Sequence, residues 1–542
     1  MTIDRHVRIF DTTLRDGQQC PGAAMSFENN LEYVRLASEL GVDVLEAGFP
    51  SASAVDFEIV HTIARDFSGN ANSPIIAGLC QLREEQIDRT IEALLPAVPH
   101  KKALLHVYLP VGKELMPASL GERANDKAKL VKEVYDFVRK AAQAGCEVEY
   151  SPEGYSRMDE NFDFVTDTIR AAVEAGAHVI NCPDTIGGGC VFQGEEYFVN
   201  KMQQHANIIA KEYPGRSVIW SAHCHNDFGL ATQNSVNAVF YGPCRQIEGC
   251  FNGIGERAGN AALEQCIMII RHFAKYVDKE NPYYTNIRTE HLQQVCDFVS
   301  KNMLPRQPHW PVTGDNAAKH SSGGHTNAVL KNPLAYQPFD PKEVGKEISM
   351  LFGPLSGGNH AKAIVEKAGY RCSNEEKAEM AQFIKNLYAT RRKGITDDEL
   401  MKGYFRYRSP IQVEQIDYSK SSNKSSVQIT GKFFSYEGTF TEEHEGKDSA
   451  LAALKKGVDR YFGPIQIQSH RSKSDSAGIN ANSISKIVIA DEQNNTFEGV
   501  GADQDIEVSA MRALVDAVNR AYIERNYRQP RAEKASAESK VG

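Results

Sequence analysis

The stretch FVTDTIRAAVEAGAHVINCPDT, residues 164–185, carries one complete structural repeat. Apolar residues recur at helical spacing through FVTDTIRAAVEA, and Gly176 follows as the residue expected just past a helix end. HVINC then reads as a short buried strand, and Asp184 and Thr185 stand where it stops. A helix feeding a strand that ends in polar residues is one turn of a βα alternation.

Read outward in both directions, the alternation recurs. Strand-like runs occur at VRIFDTT (7–13), DVLEAGF (43–49), IIAGLC (75–80), ALLHVYL (103–109), EVEYSPE (147–153), HVINCPDT (178–185), VIWSAHCH (218–225) and QIEGCFN (246–252). Amphipathic segments such as SFENNLEYVRLASEL and KLVKEVYDFVRKAAQAG separate them. Eight βα units at a spacing of roughly thirty residues predict an α/β chain opening with a (β/α)8 barrel over residues 1–280. Beyond it, helical segments broken by Pro- and Gly-rich pieces predict helical linker subdomains over 281–420. Residues 421–527 read strand, strand, helix, strand, strand, helix, a compact α+β domain. The stretch 528–542 lacks apolar anchors and is expected to be a disordered tail.

Composition excludes several classes. A formal net charge of −9 and the lack of a basic stripe argue against nucleic-acid or acidic-membrane binding. No segment has the length and apolarity of a membrane span, and the N-terminus reads as strand, not as a secretory signal. The eleven cysteines form no C-x-x-C pair and several sit in apolar strand contexts, which predicts reduced thiols in a cytoplasmic protein.

Polar residues gather where each strand stops: Arg15 and Asp16 after the first, Glu46 late in the second, His106 in the fourth, Ser151 and Glu153 in the fifth. Barrel active sites are built at that rim. In SAHCHNDFG, residues 221–229, His223 and His225 project from one face of the seventh strand. With Asp16 and a further oxygen from the loop after the eighth strand they make a mixed nitrogen and oxygen ligand set that suits Mg, Mn, Fe or Zn. Such a cation would grip a 2-oxo acid, with the Arg15 guanidinium stabilising a developing alkoxide, or else pairing with Glu46 as a structural bridge. The run FNGIGERAGNAALEQ contains G-x-G-x-x-A, but no acidic residue ending a second strand follows, so it is not a dinucleotide fingerprint. Gly253, Gly255 and Gly259 instead let the backbone approach a ligand, with Asn260 turned to the mouth. KHSSGGH, residues 319–325, offers histidines on a glycine-rich loop, as exposed linker or as a general acid/base.

Together FDTTLRDGQQ, SAHCHNDFGLA, NGIGERAGNAALE, HSSGGH and the C-terminal FEGVGADQDIEVSAMRALVDAVNR resemble the α-isopropylmalate synthase family, a group of metal-dependent barrel enzymes that also includes homocitrate and citramalate synthases. The resemblance implies condensation of acetyl-CoA with 3-methyl-2-oxobutanoate, a step of leucine biosynthesis, with a divalent metal (Mn, Mg or Zn). It implies Asp16, His223, His225 and Asn260 as metal ligands and Arg15, Glu153 and His325 as catalytic residues. Leu79, His106, Ser151 and Thr185, with Arg15, would contact the oxo acid, and the Gly253, Gly255 and Gly259 loop would meet acetyl-CoA. It further implies a homodimer and a C-terminal regulatory domain that takes leucine. The family's usual lysine beyond LRDG is Asn30 here, and its HQDG is HTNA. A citramalate or homocitrate synthase is the nearest alternative reading; an inactive metal-binding amino-acid sensor is a remote one.

Overall fold

The computed structural model describes residues 4–353, 356–390, 394–446, 449–475 and 481–530. The chain forms two compact units, residues 1–318 with 339–347, and residues 319–338 with 348–542.

In the first unit eight parallel strands close into a barrel in sequence order. They are β1 (Arg8–Asp11), β2 (Val44–Gly48), β3 (Ile75–Gln81), β4 (Ala103–Pro110), β5 (Glu147–Glu153), β6 (Val179–Asp184), β7 (Ile219–Cys224) and β8 (Cys244–Gly249). Closure is made by β1 on β8, with Ile9 opposite Ile247 and Asp11 opposite Gly249. Helices cover the outside, so the strands are buried on both faces and read as near-continuous apolar runs. The opening stretch behaves as read: its helix spans Phe162–Ala175, and Gly176 ends it at φ 110°, a left-handed cap that a side chain would strain.

Inside the barrel, Phe10, Val44, Ala77 and Leu104 form an apolar cluster of their own, and the Phe10 ring meets His106 edge-on. The barrel also holds polar residues that are fully buried, Glu46, Glu149, Gln246 and Glu248. A charge so placed costs several kcal/mol unless paired; Glu46 is paired with Arg15 and His106, and Glu149, Gln246 and Glu248 are bonded in a separate group with Ser221.

In the second unit the helices Gly358–Lys367, Lys377–Leu387 and Asp397–Arg408 share a core that includes Phe352, Met380, Ile384, Leu400 and Tyr404. Two antiparallel three-stranded sheets follow, Ile411–Lys420, Lys424–Phe433 and Tyr436–Glu445, then Gln466–Ser474, Ser483–Ala490 and Thr496–Asp503. Each is succeeded by a helix, Ala450–Tyr461 and Ile506–Tyr527. The expected strand, strand, helix repeat is therefore one strand short in each half. Ile411–Lys420 and Gln466–Ser474 are edge strands; the second is exposed along almost its whole length, so neither carries the alternation that marks a half-buried strand. Of the expected tail 528–542, residues 531–542 lie outside the described residues.

Candidate metal centre at the barrel mouth

Asp16 leaves β1 in the loop that follows it, His223 sits within β7, and His225 lies just beyond. One ligand atom from each lies within 4.8 Å of the others, and all three side chains are buried. The two imidazoles face each other with Nε2 atoms 3.2 Å apart, and His223 Nε2 lies 3.8 Å from Asp16 Oδ2. Two nitrogens that close, in the tautomers that carry the proton on Nδ1, suit a shared cation. Burial, then the neighbouring His225, depress His223 to about 3, and burial lowers His225, so both rings are neutral at pH 7 with lone pairs to offer. Burial would raise Asp16, but Arg15, then His223 and His225, hold it well below the usual carboxylate range. An anion and two neutral imidazoles are the donor set of a divalent cation.

A second group, His106, Glu149 and Glu248, satisfies the same spacing. His106 is already engaged there on both nitrogens, Nδ1 2.7 Å from Glu46 Oε1 and Nε2 2.7 Å from Ser151 Oγ. It has no lone pair to spare, and the first group is the better metal centre.

The fourth expected ligand, Asn260, is held at the mouth by chain pairing. Asn226 N–H donates to Gly259 O at 2.9 Å and Ala261 N–H donates to Cys224 O at 2.9 Å, which zips the loop after β8 to the end of β7. The Asn260 amide nitrogen donates to Asp16 Oδ1 at 2.7 Å and to Ile254 O at 3.1 Å, while its Oδ1 is buried without a partner. An orphaned acceptor beside the cluster fits a cation there. Gly255, at φ 148°, makes this possible: a Cβ on it would stand 2.0 Å from Asn260 Nδ2 and 2.9 Å from Asp16 Oδ1. Gly259 equally lets its backbone meet Gly253 O, where a Cβ would lie at 2.0 Å. These glycines thus serve the loop's own packing around Asn260.

Arg15 makes the structural bridge considered for it. Its Nε donates to Glu46 Oε2 at 2.6 Å and its Nη1 to Asp16 Oδ2 at 2.6 Å. Glu46 is therefore the hub of a chain running Asp16, Arg15, Glu46, His106, Ser151, with Asn181 donating to Ser151 Oγ at 2.8 Å. Despite burial, Arg15 and then His106 hold Glu46 down to about 2, so it stays an anion. Leu79 pairs with His106 in the β3 and β4 register and is buried beside it. The Thr185 hydroxyl accepts Gly154 N–H at 2.9 Å, and Arg257 clamps the same corner by donating to Thr185 O and to both Asp227 oxygens.

Glu153 ends β5, and among the described residues no hydrogen bond or ion pair engages its carboxylate. Burial pushes it up to about 7, with Arg15 opposing. A carboxyl that gains and loses a proton near neutrality is suited to base work. His325 belongs to the other unit, exposed on the helix Gly323–Val329 and stacked on Tyr336 at 3.8 Å.

Sequence reasoning missed Asn181 and Glu248 and gave Glu46 too small a part. The signal was available: an acid or amide in the middle of an apolar strand, as in VLEAG, VINC and QIEGC, must face the barrel interior and find partners.

Comparison with known proteins places the chain in a family. A family model described as HMGL-like matches residues 6–299, one described as homocitrate synthase post-HMGL domain-like matches 312–392, and one described as LeuA allosteric (dimerisation) domain matches 395–522. A 2-isopropylmalate synthase of Prochlorococcus marinus is 35% identical over 536 residues, spanning 95% of this chain and 95% of that protein. One of Aquifex aeolicus is 30% identical over 96% of this chain and 97% of that protein. 2-isopropylmalate synthase B of Solanum pennellii is 32% identical over 95% of this chain and 86% of that protein. With likeness of this extent across barrel, linker and C-terminal sheets, the chain belongs to the 2-isopropylmalate synthase family of HMGL-like proteins.

Proposed function

We propose that the chain condenses acetyl-CoA with 3-methyl-2-oxobutanoate and water, giving 2-isopropylmalate and free CoA, the committed step toward leucine. The observation that carries this reading is the buried Asp16, His223 and His225 cluster, with Glu153 within electrostatic reach of the Arg15 that pairs with Asp16, in a chain of this family. Asp16, His223, His225 and Asn260 would hold the divalent cation, manganese, magnesium or zinc. Bound there, it supplies Lewis acidity toward the oxygens of a 2-oxo acid.

The chain's own residues do the rest. Glu153, as carboxylate, takes a proton from the methyl carbon of the acetyl thioester. The released electron pair forms the new bond to C2 of the oxo acid, and the carbonyl pair moves onto oxygen. Arg15, fixed by Glu46, stabilises that developing alkoxide. The proton taken up by Glu153 is passed on to the alkoxide, giving the product hydroxyl and restoring the carboxylate; water then adds to the thioester carbonyl and CoA leaves as its thiol. His325 is the second group assigned to acid/base work. Leu79, His106, Ser151 and Thr185 line the oxo-acid pocket, and the loop of Gly253, Gly255 and Gly259 lies where acetyl-CoA approaches.

We also infer the working regions: a catalytic barrel over 1–280, a linker over 281–420 and a regulatory domain over 421–527. The LeuA description of residues 395–522 supports a homodimer and a leucine effector. A cavity of about 1400 Å³ in the second unit, lined by Tyr370, Arg406, Thr430, Glu498 and Asn519 among others, is the place to look for the effector. Among the described residues no helix is long and apolar enough to cross a membrane; the cytoplasmic location is inferred from the leucine-synthesis reading alone.

The test is release of free thiol from acetyl-CoA with a divalent cation and a panel of 2-oxo acids. Fastest release with 3-methyl-2-oxobutanoate supports the reading. A preference for pyruvate or 2-oxoglutarate would make the chain a citramalate or homocitrate synthase, and no thiol with any acid would leave the sensor reading.

A further inference from the structure

Two buried atoms near the metal centre lack a hydrogen-bond partner and face each other. One is His223 Nδ1, on the side of the ring away from the cluster; the other is Glu248 Oε2. They lie 3.6 Å apart. The two residues are neighbours in the parallel register of β7 and β8, His223 opposite Glu248, so the barrel itself brings them together. Glu248 is wholly buried, and its other oxygen is fixed, Oε1 accepting from Ser221 Oγ–H at 2.9 Å. Ser221 is fixed in turn, its Oγ accepting from Gln246 Nε2, which also donates to both oxygens of Glu149 at 3.1 Å.

A separation of 3.6 Å is too long for a hydrogen bond and short enough that a small tilt of the imidazole closes it. The other ring nitrogen explains why the ring would tilt. Nε2 faces Asp16 and His225, and a cation drawn to those three would pull on it. A ligating histidine commonly gives its second N–H to a carboxylate, which fixes the tautomer and aims the lone pair.

We propose that Glu248 is the positioning residue of His223: its Oε2 accepts the Nδ1–H, which leaves the proton off Nε2 and points that lone pair into the cluster with Asp16 and His225. The inference rests on the metal reading given above. It assigns a task to a buried acid that otherwise sits in the barrel at a cost, and it explains two orphaned atoms with one bond.

The experiment uses the full chain stripped of metal and titrated calorimetrically with manganese(II). Glu248→Met keeps the side chain's length and removes both acceptor oxygens; Glu248→Gln keeps one. Loss of the partner of a ligating histidine weakens metal binding by about 10–100-fold, so Glu248→Met is expected in that range and Glu248→Gln between it and the parent. Ser221→Ala, which leaves Glu248 Oε2 untouched, is expected near the parent. The native protein gives a second readout that needs no folded variant. Nitrogen-15 spectra of the histidines, with zinc bound, are expected to show His223 protonated on Nδ1 and bare of hydrogen on Nε2. Parent-like manganese affinity in Glu248→Met, or a proton on His223 Nε2 in the zinc-bound parent, would overturn the inference. A parent protein that takes up no divalent cation would instead overturn the metal reading itself and this inference with it.

Discussion

Asn260 donates its amide N–H to Asp16 Oδ1 at 2.7 Å, joining residues 244 apart in sequence and tying the loop after β8 to the loop after β1. That bond exists because Gly255 has no side chain, since a Cβ there would stand 2.0 Å from Asn260 Nδ2. Gly255→Ala should therefore displace Asn260 and Asp16 while leaving the barrel folded. We expect manganese affinity to fall by at least about 10-fold, as when a ligand's support is lost, with a circular dichroism spectrum like the parent's. Unchanged affinity would show that the loop tolerates the methyl and that Asn260 is not held as described.

Glu153 should set the acid limb of the rate profile. Its carboxyl is raised by burial to about 7, and a base works only when deprotonated, so kcat/KM should climb as pH rises through about 7 and level off above it. Glu153→Gln keeps the shape and removes the base, and kcat is expected to fall by about 10²–10⁴-fold. Steady-state thiol release from pH 5.5 to 8.5 checks both; an acid limb that persists in Glu153→Gln would give the base role to another group.

The histidine pair gives the metal-free protein a pH-dependent stability of known sign. His223 titrates near 6.5 when unfolded and near 3 when folded, so between those values the unfolded chain binds the additional proton. Stability should be full above about pH 6.5 and should fall as the solution is acidified toward pH 3. At neutral pH a cation that binds only the folded state adds about 2.7 kcal/mol at a hundred times its Kd. Melting curves with and without manganese should diverge at pH 7.5 and converge on acidification. A metal-free protein equally stable across that range would contradict the neutral, buried state of both rings.

Asn30 stands where the family's lysine is usual, and it has been put to structural use. It is wholly buried, accepts from Gln18 Nε2 at 2.8 Å and donates to Ser26 O at 2.8 Å, while Gln18 Oε1 accepts Met25 N–H at 2.9 Å. This closes the loop that carries Asp16. Asn30→Ala removes these two amide bonds, although Gln18 Nε2 keeps Leu14 O and Ser26 O keeps the residue-30 backbone N–H, and should cost about 0.5–1.5 kcal/mol per bond in urea unfolding; a loss within error would mean that water replaces the amide freely.

The barrel was legible because its strands are buried on both faces and alternate with helices, two of them stopped by a glycine, at Gly41 and Gly176. The cluster of Asp16, His223 and His225 was legible because β-strand periodicity and the rim rule together say where such side chains must point. What stayed hidden were partnerships. Nothing in QIEGC says that Glu248 faces a histidine one strand away, because register between β7 and β8 is a property of closure. Ile411–Lys420 and Gln466–Ser474 were overlooked for the opposite reason: edge strands bury too little to leave an alternating pattern. His325 was found by its glycine-rich setting, but the stacked Tyr336, eleven residues on, carried no local signal.

The central claim is that one cation is shared by an aspartate leaving β1 and two imidazoles at the end of β7. Anomalous diffraction from a manganese-soaked crystal tests it most directly. A single strong peak within bonding distance of Asp16, His223 and His225 is the result predicted. A crystal with manganese bound elsewhere, for instance between Glu149 and Glu248, and none at those three side chains would contradict it.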